Sequence, residues 1–115
     1  MDDIFCKIIN KEINSEIVFE NDDLIAINDI HPQAPVHILI ISKKHLEDLI
    51  SVEESDTELV GKLVLASKKI AEKLGLKENG YRLIINQGKD SGQLVPHLHI
   101  HLLGGKHLGA KIIND

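Results

Sequence analysis

Apolar residues along the chain switch between two periods, and the switches mark its elements. Ile4, Phe5, Ile8 and Ile9 stand at helical spacing and predict one or two turns of helix near the start. Ile17-Val18-Phe19 and Leu24 to Ile27 are short apolar runs around the turn cluster Asn21-Asp22-Asp23, the pattern of a hairpin. Pro32 and Pro35 break the chain ahead of Val36 to Ile41, a run rich in β-branched residues that predicts a buried strand. Leu59, Leu63, Ala66, Ile70 and Leu74 then recur every three to four positions as the apolar face of one long helix, which Gly75 ends. Ahead of it, Ser51-x-x-Glu54 and Ser55-x-x-Glu58 both fit a capping box. Arg82 to Asn86 and Leu98 to Leu103 predict two more strands, joined by the polar loop Gln87 to Gln93. Short helix, three strands, long helix, two strands: this order predicts an α+β fold, a five-stranded antiparallel sheet with helices on one side.

Composition narrows the function. With 115 residues and no repeat or linker, a single domain over residues 1–115 is expected. Apolar residues make up 43% but aromatics only 3%, so Leu, Ile and Val must fill the core. The longest apolar run, Val36 to Ile41 interrupted by His37, is too short for a bilayer, and no secretory signal opens the chain. A cytoplasmic protein without a membrane partner is expected. Cys6 stands alone and forms no internal disulfide, which suits a reducing compartment. A formal charge of −5 with Arg82 as the single arginine speaks against binding a nucleic-acid polymer. A small anion held by local dipoles and histidines remains open.

Three of the seven histidines fall within His97-Leu98-His99-Ile100-His101. On a strand, side chains at i, i+2 and i+4 share one face, so these imidazoles point one way and Leu98, Ile100 and Leu102 point into the core. A solvated strand face ordinarily carries Lys, Glu and Thr. Imidazole titrates near neutrality, so one ring can be a neutral nucleophile while others donate to an anion. Attack on phosphorus would split one hard displacement into two easier ones. A metal hydrolase is the competing reading, with His37 as the obvious third ligand. Along a straight strand, however, the outer histidines sit roughly 13 Å apart at the backbone, too far to converge on one ion.

The segment Gly92-Gln93-Leu94-Val95-Pro96-His97-Leu98-His99-Ile100-His101-Leu102-Leu103 resembles the signature of the histidine-triad superfamily, and the likeness runs over nearly the whole chain. Ile4 to Ile9 looks like its opening helix, Asn28 to His37 like its central loop, and Lys43-Lys44-His45 follows as is usual there. Leu103-Gly104-Gly105 resembles the ending of the Hint branch, the nucleotide-binding phosphoramidases. The resemblance implies hydrolysis of purine nucleoside phosphoramidates and aminoacyl adenylates to AMP by a homodimer with a continuous ten-stranded sheet, without a cofactor. It implies His99 as the nucleophile, His101 on the phosphate oxygens, and His97 and His37 orienting or protonating within the same cluster. Asp29 would accept from the ribose hydroxyls, with Ile30 beside the sugar. Phe5, Ile8, Ile13 and Ile27 would form the slot for the base. Asn86 and the backbone of Gly92, Gln93 and Leu94 would face the phosphate, with Gly88 and Gly92 letting amides approach an anion. The tail from Lys106 to Asp115 would reach the partner's site. A dinucleoside polyphosphate hydrolase, or a nucleotide-binding interaction module with vestigial hydrolysis, stays open as an alternative.

Two positions depart from the pattern. Many Hint proteins carry a serine where this chain has Leu94, so leaving-group help would have to come from a histidine or water. Some bacterial relatives hold structural zinc with Cys-x-x-Cys and histidines. Here Asp3 and Cys6 occupy that pair, so no tight zinc site is expected and His45 reads as a surface or supporting residue. His31 and His107 read as non-catalytic. Activity is expected to fall below about pH 6, as an exposed imidazole takes a proton.

Overall fold

The computed structural model describes residues 3–110. Helix α1 (Ile4–Ile9) opens the chain, and strands β1 (Ile17–Glu20), β2 (Leu24–Asn28) and β3 (Val36–Ser42) follow. Helix α2 (Thr57–Lys73) then leads to β4 (Tyr81–Ile84) and β5 (His99–Gly104). All strand pairings are antiparallel, in the order β1-β2-β3-β5-β4. The predicted strands at 82–86 and 98–103 are displaced by one or two residues, and every predicted element is present.

The helices do not share one side of the sheet. Leu24, Ala26, Ile38, Ile40, Ile100 and Leu102 pack with Leu63, Ile70 and Ala71 of α2. The alternate residues Ile25, Ile27, Leu39 and Ile41 pack with Phe5 and Ile8 of α1 on the opposite face. The reason lies in the strands: β2 and β3 are apolar at consecutive positions, so both faces need cover. A six-residue helix shows which of its own faces is apolar, but not which side of the sheet it will choose. Asp3 starts α1 as its N-cap, its Oδ1 accepting the Cys6 amide at 2.7 Å.

Neither serine box leads into α2. Two 3₁₀ turns, Leu49–Ser51 and Glu54–Asp56, precede it. Asp56 stands at the N-cap position of α2 without a side-chain cap to it; its buried carboxylate closes the preceding turn, accepting from the Glu53 amide at 3.0 Å and from Lys44 at 2.6 Å. Gly75 follows the helix with φ +80°, the left-handed conformation that stops it. At the far end of β5, Gly105 sits at φ +91°, and a Cβ there would lie 2.9 Å from the Pro35 ring. The double glycine thus lets β5 end tight against the entry to β3. Among the described residues, no helix is long and apolar enough to cross a membrane. The expected reach of the C-terminal tail falls partly on residues 111–115, outside the described residues.

Candidate active site

Register brings the site together. In the β3–β5 ladder, His101 lies opposite Leu39 and His37 opposite Leu103, so His37 and His101 are diagonal neighbours on the α1 face. Their rings meet, His37 Nε2 to His101 Nδ1 at 3.0 Å. His99 lies opposite Ile41, its ring centroid 5.0 Å from that of His101 and edge-on to Phe5 at 4.9 Å.

Hydrogen bonds assign the protons. The Gln33 amide donates to His37 Nδ1 at 3.1 Å, so the proton of His37 sits on Nε2. From there it donates to His101 Nδ1 at 3.0 Å, with an Asp29 carboxylate oxygen 3.4 Å away. His101 therefore keeps its own proton on Nε2, as a donor not used by this line. His99 is set the other way: its Nδ1–H donates to the His97 carbonyl at 2.6 Å, leaving a lone pair on Nε2. Burial pushes the His99 imidazole below its ordinary range, and positive charge at His97 pushes the same way. Its bond to the His97 carbonyl and the charges of Asp29 and Asp3 oppose the shift. Burial, then His99 and His37, push His101 down to about 4. One ring presents an uncharged nucleophile and its neighbour an uncharged donor.

His97 departs from the expected cluster. It lies in a bend before β5, is fully buried, and turns both ring nitrogens away from His37. Its Nε2–H donates to the Ser42 carbonyl at 2.6 Å, and its Nδ1 lies 3.0 Å from Asp3 Oδ2. Its link to the reacting face is its own carbonyl, the acceptor for His99. His45, read as a supporting surface residue, stacks edge-on to His97 at 4.9 Å and lies 3.3 Å from Cys6 Sγ. Burial raises the Asp3 carboxyl, but the Cys6 amide and His97 outweigh it and hold it below the usual carboxylate range.

The expected base slot is partly assembled. Phe5, Ile8 and Ile27 are buried together, whereas Ile13 is exposed and lies outside that cluster. Ile30 is 80% exposed, free to face a ligand. Asp29 sits half-buried; its Oδ1 accepts the His31 amide, and Oδ2 faces His37. Asn86 is half-buried just beyond β4. The glycine loop closes on itself: the amide of Gly88 donates to Gln93 Oε1, that of Gly92 to the Lys89 carbonyl, and that of Gln93 to the Gly88 carbonyl. Those amides are committed within the loop rather than to an anion. Leu94 stands beyond it, 92% exposed. Sequence reading missed the Gln93 side chain as a latch, its Nε2 donating to the carbonyls of Glu47 and Val95. Its signal, one amide among loop glycines, carries no mark of its distant partners.

A neutral imidazole poised over one end of an antiparallel sheet, beside an imidazole donor held by a third, defines the histidine-triad class. The HIT domain family matches residues 10–108, and the chain belongs to that family. It is 50% identical over 107 residues to an uncharacterized HIT-like protein of Synechococcus elongatus, covering 93% of each chain. It is 46% identical over 106 residues to the purine nucleoside phosphoramidase of Escherichia coli (strain K12), covering 92% of this chain and 89% of that one. A solved histidine triad protein from Clostridium difficile superimposes with a TM-score of 0.92 at 45% identity, covering 96% of each chain.

Proposed function

We propose that the protein hydrolyses purine nucleoside phosphoramidates to the nucleoside monophosphate through a nucleotidyl-His99 intermediate. The observation that carries this reading is the tautomer at His99, whose Nδ1–H is held by the His97 carbonyl so that Nε2 is the nucleophile. Similarity to the Escherichia coli phosphoramidase supports the substrate class. His99 Nε2 attacks the α-phosphorus as the P–N bond breaks, and His101 Nε2–H donates to a non-bridging oxygen as charge builds. The leaving amine takes its proton from water or a histidine, since Leu94 has none to give. Water then cleaves the P–Nε2 bond, releasing the monophosphate and restoring His99. Phe5, Ile8 and Ile27 hold the base, Asp29 and Ile30 the ribose. Two copies pairing at the free edge of β4 would extend the sheet to ten strands.

Incubation with adenosine 5′-phosphoramidate tests the reading: AMP and ammonia are expected, and binding without product would overturn it. The acid limb of kcat/KM should lie below the ordinary imidazole value of about 6.5. Both rings are shifted downward, so their neutral forms persist as pH falls past that value; His101 takes a proton only near its pKa of about 4. The loss below about pH 6 expected for an exposed imidazole therefore moves to lower pH. A limb at or above 6.5 would show that the rings are not shielded. Because Leu94 is 92% exposed, Leu94→Ser should leave the fold intact. It should speed turnover of substrates with poor leaving amines by up to about 100-fold, the low end for a positioned proton donor. Equal or lower rates would remove the leaving group from that position.

A further inference from the structure

Helix α2 covers only part of the sheet face it packs on. It lies over β3 and β5, and a helix about 10 Å across cannot span five strands set about 4.8 Å apart. Over β1 and β2 the same face is left as a groove of about 450 Å³, walled by α2 on one side and the β1–β2 hairpin on the other. The hairpin wall is apolar for a local reason. Register slips between Ile17 and Phe19, so β1 carries a bulge at Val18 and two of its residues face one on β2. Val18 and Phe19 therefore both reach the α2 side, Val18 against the core and Phe19 exposed in the groove. From α2, Leu65, Ala66, Ile70 and Leu74 face it as one helical stripe. Lys62, Lys69 and Lys73 flank that stripe, their stems on apolar surface and their exposed heads at the rim. The charge along this rim is uneven. Lys62 is held by Asp23 at 3.4 Å and Glu58 at 3.9 Å. Lys69 and Lys73 stand one turn apart, and among the described residues neither forms an ion pair. Like charges at that spacing repel, and one anion between them would relieve the repulsion.

We infer that this groove binds a single-chain amphiphile of the fatty-acid class, its carboxylate between Lys69 and Lys73 and its chain along Phe19, Leu24, Leu65 and Ala66. Because Lys62 is already neutralised, the available positive charge is concentrated at one place. That suits one anionic head rather than the run of carboxylates an acidic peptide would bring. The volume is that of a small-molecule site. In the sheet, β1 and β4 are opposite edges, so the groove stays open when copies pair through β4. His99 and His101 lie on the other face, with α1. A ligand in the groove therefore neither needs nor blocks a nucleotide at the triad.

Isothermal titration of the full-length protein with sodium dodecanoate, kept below its micellar concentration, tests this without reference to turnover. Saturable binding of one dodecanoate per chain is expected. Lys69→Gln and Lys73→Gln should each weaken it about 5-fold, the upper end for an exposed ion pair, and the double variant about 20-fold. Octanoate, shorter by four methylenes, should bind at least about 10-fold more weakly. Leu65 is exposed, so Leu65→Glu should keep the circular dichroism of the wild type while its carboxylate in the path of the chain abolishes binding. Saturating AMP should leave the affinity for dodecanoate unchanged. Competition by AMP would put the fatty acid in the nucleotide slot and overturn the inference. So would the absence of saturable binding, or affinity that survives both the double lysine change and Leu65→Glu. Two other results would assign the groove elsewhere and defeat it. One is attachment to phosphatidylglycerol vesicles without binding of free dodecanoate, the mark of a membrane surface. The other is a change of oligomeric state in Leu65→Glu alongside a wild type that ignores dodecanoate, the mark of a second copy seated there.

Discussion

His99→Ala is expected to lower kcat on adenosine 5′-phosphoramidate by at least about 10⁴-fold, the scale seen when a nucleophile is removed from a cooperating group. Alanine leaves nothing that can bond to phosphorus, so the two-step route closes and only binding and the His101 donor remain. The loss should fall on kcat, because the proposed nucleoside contacts at Phe5, Ile27, Asp29 and Ile30 are left in place. Mass spectrometry of the wild type mixed rapidly with substrate should show a nucleotidyl adduct on the peptide carrying His99, absent from the variant. Some stability should go too, since the ring packs edge-on to Phe5 in a buried position. Comparing rates well below the unfolding temperature separates that from chemistry. An alanine variant with an unchanged rate would end the covalent mechanism.

The parts of this site that follow from local rules were legible in the chain. Alternation in β5 places His99 and His101 on one face and Ile100 and Leu102 on the other, and the structure keeps that division. His97 was grouped with them because alternation was carried back through Pro96, but the backbone bends at residues 95–97 before the strand begins. A proline has no amide to give a ladder and ends the regular pattern. Asp3, Cys6 and His45 were each singled out in the sequence, but their meeting with His97 was not legible, for another reason. Only Asp3 and Cys6 are neighbours in sequence, while His45 and His97 arrive through β3 and the bend before β5. Capping-box spacing alone also misassigned the start of α2. A serine three residues before a glutamate fits the cap, yet α2 starts at Thr57 with Asp56 at its N-cap position, and that carboxylate is turned back to the Glu53 amide and to Lys44. Spacing names the candidates, and the turn that precedes the helix sets which residue stands at its start.

His101→Ala should cost about 10²–10³-fold in kcat, the penalty for losing one donor aimed at a developing oxyanion. The hydrogen-bond line explains why this donor is prepared before substrate arrives. The Gln33 amide fixes the proton of His37 on Nε2, His37 passes that hydrogen bond to His101 Nδ1, and His101 is left with its proton on Nε2. Since His101 titrates only near 4, it donates as a neutral ring throughout the working range and imposes little positive charge on the nucleophile beside it. Removing it slows both the formation and the hydrolysis of the His99 adduct. If hydrolysis suffers more, the adduct accumulates, and intact-mass measurement after quenching should find it. His37→Ala should cost less, about 10-fold, because His101 keeps its proton and loses only the partner that holds it in one tautomer. Coupling is the sharper test. The double variant should be barely slower than His101→Ala alone, because His37 acts through His101. If the two losses simply multiply, His37 acts on substrate independently and the line from Gln33 to the phosphate is broken.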